Sequence, residues 1–259
     1  PLTWPGVGVG RHRQRYARID FLWSDNLQLY HHGHVFDAHA GTHLVPPSYA
    51  LPPEPQPAAA LAAESRGWLE EYEQAFGPRG TSDVTTEKVP LEQTCGPARV
   101  IDVRHLVGTT DRGAWPASPR ITPAEIERHE AAHGRLRPGE VVLFHTGHTD
   151  RTFRPRREAA DCLANPVNGR SEGWPAVTPA TIAALAERGI RCIGIDAPTL
   201  GGVEPKNAVM AYWALGSRGM VAVEFLTNVA ALPPGSYFLF APIKIRGCHG
   251  GPGRAIGLH

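Results

Sequence analysis

Five short apolar runs, separated by helix-start signals, constrain this chain more than any other feature of its sequence. They are Val100 to Val107, Val141 to Phe144, Ile190 to Ile195, Met220 to Phe225 and Tyr237 to Ile245. Each has the length and β-branched or aromatic content of a strand. Between them, Thr122-Pro123-Ala124-Glu125 is a capping box with proline at the first helical position, and Gly134 is a stop. Thr178-Pro179 opens a second helix that ends at Gly189 and feeds directly into the Ile190 run. A third helix is predicted from Lys206 to Leu215, stopped by Gly216. A fourth carries Trp68, Leu69, Tyr72 and Phe76 at helical spacing ahead of Gly77-Pro78. Asn26 to Leu44 has no helix signal and reads as an antiparallel pair containing Gly33. Strands alternating with helices predict an α/β fold with a mixed sheet. The proline-rich passages Pro46 to Pro57 and Thr110 to Pro119 read as loops, because no change of composition accompanies them. No internal repeat is visible, and one domain over residues 1–259 is expected.

Composition narrows the class of function. The 259 residues are 42% hydrophobic and 20% charged with a formal net charge of +1, as in an ordinary soluble globular protein. That charge, and the lack of a basic run interleaved with aromatics, argues against nucleic-acid binding. No apolar stretch approaches the roughly 20 residues needed to span a bilayer, so no membrane association is expected. Cys95, Cys162, Cys192 and Cys248 follow no paired spacing and read as the reduced thiols of a cytoplasmic protein. Pro1 is not an initiator, so a trimmed or processed start is expected.

The chemistry is signalled by His39-Ala40-Gly41-Thr42-His43, within a segment that also holds His31, His32 and His34. Nothing around these imidazoles is consistently apolar, so they do not read as a packing face. Gly41 permits a sharp bend that turns both rings toward one centre, as a metal ion requires, and Thr42 supplies an orienting hydroxyl.

Extended through Pro47, this motif resembles the signature of the metal-dependent cyclase-like hydrolases, a family that includes bacterial kynurenine formamidase and isatin hydrolase. That signature reads His-x-Gly-Thr-His-x-Asp-x-Pro-x-His, and His39, Gly41, Thr42, His43 and Pro47 match it. The resemblance continues in order through Cys95-Gly-Pro-Ala-Arg-Val-Ile-Asp102, Ile121-Thr-Pro-Ala-Glu125 and Leu136 to Gly147. It then runs through Ile193-Gly-Ile-Asp-Ala-Pro198, Val223-Glu-Phe-Leu-Thr-Asn228, Pro242 to Gly247 and Pro252-x-Arg254. It implies the family's swivelling β/α/β-type fold and a homodimer or higher homo-oligomer. It also implies one divalent ion, zinc or manganese, held by His39, His43 and Glu224.

Three positions depart from the pattern. The family's metal-bridging aspartate falls on Val45, its last signature histidine on Tyr49, and a further histidine ligand on Tyr212. Asp37, two residues before His39, would share its face on an extended strand and supply the missing carboxylate. Cys248 and His249, in the glycine-rich loop from Gly247 to Gly253, are further candidate donors. If no metal is bound, His39, His43, Tyr49 and Tyr212 form an acid-base site.

Two more constellations compete. His129-Glu130-Ala131-Ala132-His133 is a literal H-E-x-x-H on a predicted helix. A metzincin continuation is missing, and the charged helix reads as a solvated face. His145-Thr146-Gly147-His148 follows a strand end, where α/β sites assemble, and so offers pocket residues. Trp174 and Phe153 are candidate apolar walls for an aromatic or cyclic substrate, and Thr42, Trp174 and Cys248 are candidate substrate contacts.

The expected function is a hydrolase opening an amide, lactam or lactone bond in a small cyclic or aryl substrate. Metal-activated water would attack, Tyr49 or Tyr212 would stabilise the oxyanion, and His249 or His145 would carry the proton. Two alternatives stand beside it: a metal-independent cyclase or lyase of secondary metabolism, and a non-catalytic ligand-binding protein on a decayed enzyme.

Overall fold

The computed structural model describes residues 17–24, 29–154 and 160–259, with the backbone alone for 17–24 and 29–35. The strands are β1 (Ala17–Ser24), β2 (Leu29–Val35), β3 (His43–Val45), β4 (Cys95–Asp102), β5 (Arg120–Ile121), β6 (Val141–His145), β7 (Ala176–Val177), β8 (Cys192–Ile195), β9 (Val221–Glu224), β10 (Tyr237–Pro242) and β11 (Gly251–Leu258). The helices are α1 (Ala63–Phe76), α2 (Pro123–His133), α3 (His148–Thr152), α4 (Ala164–Val167), α5 (Pro179–Glu187) and α6 (Pro205–Ser217). The fold is mixed α/β, as expected. No helix among the described residues is long and apolar enough to cross a membrane.

The mixed sheet closes on itself in the order β10-β11-β3-β9-β8-β6-β4. β4, β6, β8 and β9 run parallel, and β3, β10 and β11 complete the barrel with antiparallel pairings. Side chains alternate across each strand, which splits the core in two. Leu44, Leu143, Val221, Val223, Phe238 and Phe240 belong to a cluster without residues of the six α-helices, which fills the barrel. Val45, Val142, Phe144, Ile193, Ile195 and Ala222 face outward and pack against α2, α5 and α6. The interior is narrow: a Cβ on Gly194 would stand 2.6 Å from Leu143 and 2.7 Å from Leu226. His43 and Glu224 share the outward face with Val45 and Ala222, so the candidate site lies between barrel and helices.

The structure moves several sequence-derived boundaries. β4 spans Cys95–Asp102 rather than Val100 to Val107, because it bridges β10 at Cys95 to Pro97 and β6 at Ala98 to Asp102. Beyond it, the Asp102 carboxylate accepts the Arg104 N–H at 3.0 Å and turns the chain into a short 3-10 helix over Arg104–Leu106. The antiparallel pair is β1 with β2, Gly33 sits within a strand opposite Ile19, and His43 and Leu44 belong to the separate β3. Gly216 continues α6 rather than stopping it. A Cβ there would stand 2.9 Å from Leu51 and 3.1 Å from the Pro47 carbonyl, so glycine lets the chain around Tyr49 approach the helix.

Candidate active site

His43 and Glu224 face each other across the antiparallel β3–β9 pair. Gly41, at φ +65°, bends the chain so that the His43 Nδ1–H donates to the Gly41 carbonyl at 2.8 Å. A carbonyl cannot donate, so that hydrogen bond fixes Nε2 as the free ring nitrogen. Nε2 lies 3.2 Å from Glu224 Oε2 but makes no aligned hydrogen bond. Glu224 Oε1 accepts the Tyr212 hydroxyl and the Leu200 N–H, each at 2.6 Å. His43 and Glu224 are 1% and 2% exposed. Glu224 is thus held by two donors on one oxygen, while His43 Nε2 and the other carboxylate oxygen face each other at a depth where polar groups are costly to leave unpaired.

Above this pair the aromatic side chains form an arc. His39 packs edge-on to His43 at 4.9 Å between ring centres, Tyr49 lies 4.8 Å from His39, and Tyr212 lies 4.9 Å from Tyr49. Burial, and then the neighbouring His43, lower the His39 pKa to about 4 against the opposing pull of Glu224 and Asp37. His39 is therefore neutral near pH 7. Burial and the Glu224 charge push Tyr49 up to about 12 and Tyr212 well above its ordinary value. Both phenols stay protonated. Tyr49 lies on the rim at 43% exposure, and Gly250 passes so close that a Cβ there would meet the His39 ring at 2.7 Å.

Asp37 does not extend a strand next to His39. Its carboxylate accepts the His39 N–H at 2.8 Å and its carbonyl the Ala40 N–H at 3.0 Å, a turn that spends the side chain on the backbone. Cys248 is held through its carbonyl, which accepts the Thr86 N–H at 2.9 Å. His249 Nδ1 lies 3.1 Å from Ser48 Oγ, a pairing that the sequence reading missed although Ser48 adjoins Tyr49. Thr42 donates its hydroxyl to the Phe225 carbonyl at 2.7 Å and so fixes the chain just after Glu224.

Other candidates serve as scaffold. Trp174 is fully buried rather than a pocket wall. Its Nε1–H donates to the Thr199 carbonyl at 2.8 Å, steadying the loop that carries the Leu200 N–H to Glu224. This backbone donor has no side-chain signature, so no motif could reveal it. His145 is buried at the end of β6, opposite Asp102. His148 is buried with Nε2 2.8 Å from the Cys162 carbonyl, and burial lowers its pKa to about 4. In the H-E-x-x-H helix, Glu130 is taken by Arg188 at 2.8 and 2.9 Å and by the Leu136 N–H. The Arg99 guanidinium stands 3.4 Å from His129 Nε2, where a metal would need free space.

The donors do not assemble a resident metal centre. Among the described residues, no group of three His, Cys, Asp or Glu side chains is arranged to hold an ion. A catalytic zinc ion takes three protein ligands. His43 Nε2 and Glu224 Oε2 supply two; His39, the third ligand implied by the resemblance, packs edge-on to His43 and is not gathered with them into such a group. Val45, where the resemblance expected a carboxylate, is buried in the apolar layer, and the two phenols keep their protons. The residues present do not fit a zinc or manganese ion.

Comparison with known proteins places the chain. The model of the cyclase family ("Putative cyclase") matches residues 11–201. A kynurenine formamidase of Salinibacter ruber is 32% identical over 174 residues, 66% of this chain and 66% of that protein. An isatin hydrolase of Roseibium aggregatum is 31% identical over 183 residues, 68% of this chain and 64% of that protein. The aligned region thus spans about two thirds of these relatives. Among solved structures, isatin hydrolase A from Labrenzia aggregata bound to benzyl benzoate superposes with a TM-score of 0.69 at 23% identity, covering 99% of this chain and 89% of that one. Isatin hydrolase A from Ralstonia solanacearum gives 0.68 at 20% identity, covering 99% and 88%. Both likenesses are of fold. The match of the family model, the relatives and the ordered signature lead to one conclusion: the chain belongs to the cyclase family.

Proposed function

We propose that this protein is an enzyme that hydrolyses a C–N amide or lactam bond, or the corresponding lactone, in a small cyclic or aryl substrate, using imidazole and phenol groups for acid-base chemistry. The kinship with a formamidase and an isatin hydrolase supports the amide-bond class. The single observation that carries the mechanism is the aromatic arc over the buried His43–Glu224 pair.

In this reading a substrate carbonyl sits at the rim against Tyr49. The neutral His39 imidazole takes a proton from water as the water oxygen adds to the carbonyl carbon. The Tyr49 hydroxyl, protonated throughout, donates a hydrogen bond to the developing oxyanion. As the C–N bond breaks, the proton on His39 passes to the leaving nitrogen, giving a carboxylic acid and an amine. His43 and Glu224 do not touch the substrate. The Gly41 carbonyl on His43 and the Tyr212 and Leu200 donors on Glu224 hold the surroundings of His39 fixed. His249, tethered to Ser48, is a second proton carrier at the rim.

A second reading keeps the site and changes the reaction. Val45 in place of a carboxylate favours chemistry that needs no metal-activated water, such as ring closure or isomerisation at a carbonyl. Turnover of aryl formamides, small lactams and lactones in ¹⁸O-water separates the two, because hydrolysis places solvent oxygen in the acid product and ring closure does not. Turnover that survives His39→Ala and Tyr49→Phe unchanged overturns the assignment of this site. An absence of turnover for every substrate class favours the ligand-binding alternative.

A further inference from the structure

The barrel mouth opens into a cavity on the other side of the β3–β9 pair from His43 and Glu224. It has a volume of about 820 Å³, and Thr42, Thr149, Phe153, Phe225, Phe238 and Arg254 are among its lining residues. Strand alternation separates the two places. His43 and Glu224 face α6, whereas their neighbours Thr42 and Phe225 line the barrel mouth. That volume lies in the range of small-molecule sites, which favour the mouths of barrels.

Three independent features mark this mouth. Thr149 is 1% exposed, and its hydroxyl has no hydrogen-bond partner, although a buried hydroxyl ordinarily finds one. Phe225 and Asn228, both lining the cavity, take left-handed conformations at φ +61° and +56°. Such strain in side chains other than glycine concentrates at ligand sites. It is held in place rather than relieved: the Phe225 carbonyl accepts the Thr42 hydroxyl, and the Asp150 carboxylate accepts the Asn228 N–H at 3.0 Å. Finally, Arg254 is exposed at the cavity and has no carboxylate partner among the described residues.

We infer that the barrel mouth is a second ligand site, for a small aromatic carboxylate, separate from the site that holds His43. The ring lies among Phe153, Phe225 and Phe238, where Phe153 and Phe225 already meet edge to face at 6.0 Å between centres. The carboxylate pairs with Arg254, whose planar guanidinium matches it in two-point contact, and Thr149 supplies a hydroxyl to the ligand's polar edge. The site does not depend on the proposed reaction, because its readout is binding.

Isothermal titration of the full chain with benzoate, and with neutral benzamide as the isosteric control, tests it. Benzoate is expected to saturate one site per chain, with benzamide at least ~10-fold weaker. Arg254→Gln, an exposed change that leaves the core intact, should weaken benzoate ~10-fold, and Thr149→Val severalfold, while His43→Ala leaves binding within about twofold. No saturable binding of benzoate overturns the inference. So does binding that is lost in His43→Ala and kept in Arg254→Gln, since the acid would then occupy the other site.

Discussion

His43 Nε2 stands 3.2 Å from Glu224 Oε2 while Nδ1 of the same ring is committed to the Gly41 carbonyl. Tautomer and orientation of the imidazole are therefore set by the backbone, and the carboxylate is set by Tyr212 and Leu200. Such a pair is buried and held in place from both sides. The consequences can be measured.

The two tyrosines should separate stability from chemistry. Tyr212→Phe removes a donor from a buried carboxylate and is expected to cost about 1–3 kcal/mol in urea unfolding. Tyr49→Phe, at the rim, should stay within about 0.5 kcal/mol of the parent. If Tyr49 is the oxyanion donor, its loss lowers kcat about 100-fold or more. Equal stability losses in the two variants would contradict this division.

Metal content should respond to one residue. The parent, purified without added metal and then exposed to zinc or manganese, is expected to retain no stoichiometric ion by elemental analysis and to keep its activity in chelator. Val45 shares the outward face of β3 with His43, so Val45→Asp adds a third donor beside His43 and Glu224. That variant should unfold at lower temperature than the parent, because an unpaired buried carboxylate is costly. Zinc should raise its Tm and leave the parent's unchanged.

Stability should fall on the acid side of neutrality. Burial holds the folded-state pKa of His148 near 4 against an ordinary value of 6.5. The unfolded chain therefore binds the proton first, so the neutral ring contributes its full stability above pH 6.5 and loses it as pH falls toward 4. The loss from this group is on the order of 3 kcal/mol. Unfolding curves across that window should show it, and His148→Gln should flatten the slope.

The H-E-x-x-H helix should prove structural. Glu130→Gln breaks the paired contact with Arg188 and is expected to lower stability by roughly 1–3 kcal/mol. Turnover per folded molecule should be unchanged. A comparable loss of turnover in Glu130→Gln and in His39→Ala would return that motif to the chemistry.

Local sequence was enough to locate most elements and to reveal the family. Period-2 and period-3.6 patterns, together with Thr-Pro starts and Gly stops, are local, so the positions of α2, α5, β6, β8 and β9 could be read from them. His39, His43 and Glu224 were legible because their residue types and spacing carry the signature. Less was visible where neighbours decide the outcome. β4 begins at Cys95 because β10 lies beside it, Gly216 lies inside α6 where Leu51 and Pro47 leave no room for a side chain, and the Asp37 carboxylate caps a backbone N–H. Closure of the sheet into a barrel with distinct inner and outer faces arose from long-range pairing alone. It set His43 against Glu224 on one face and opened the Arg254 cavity behind them. These relationships join residues more than a hundred positions apart, and no local pattern records a long-range contact or a backbone donor such as Leu200.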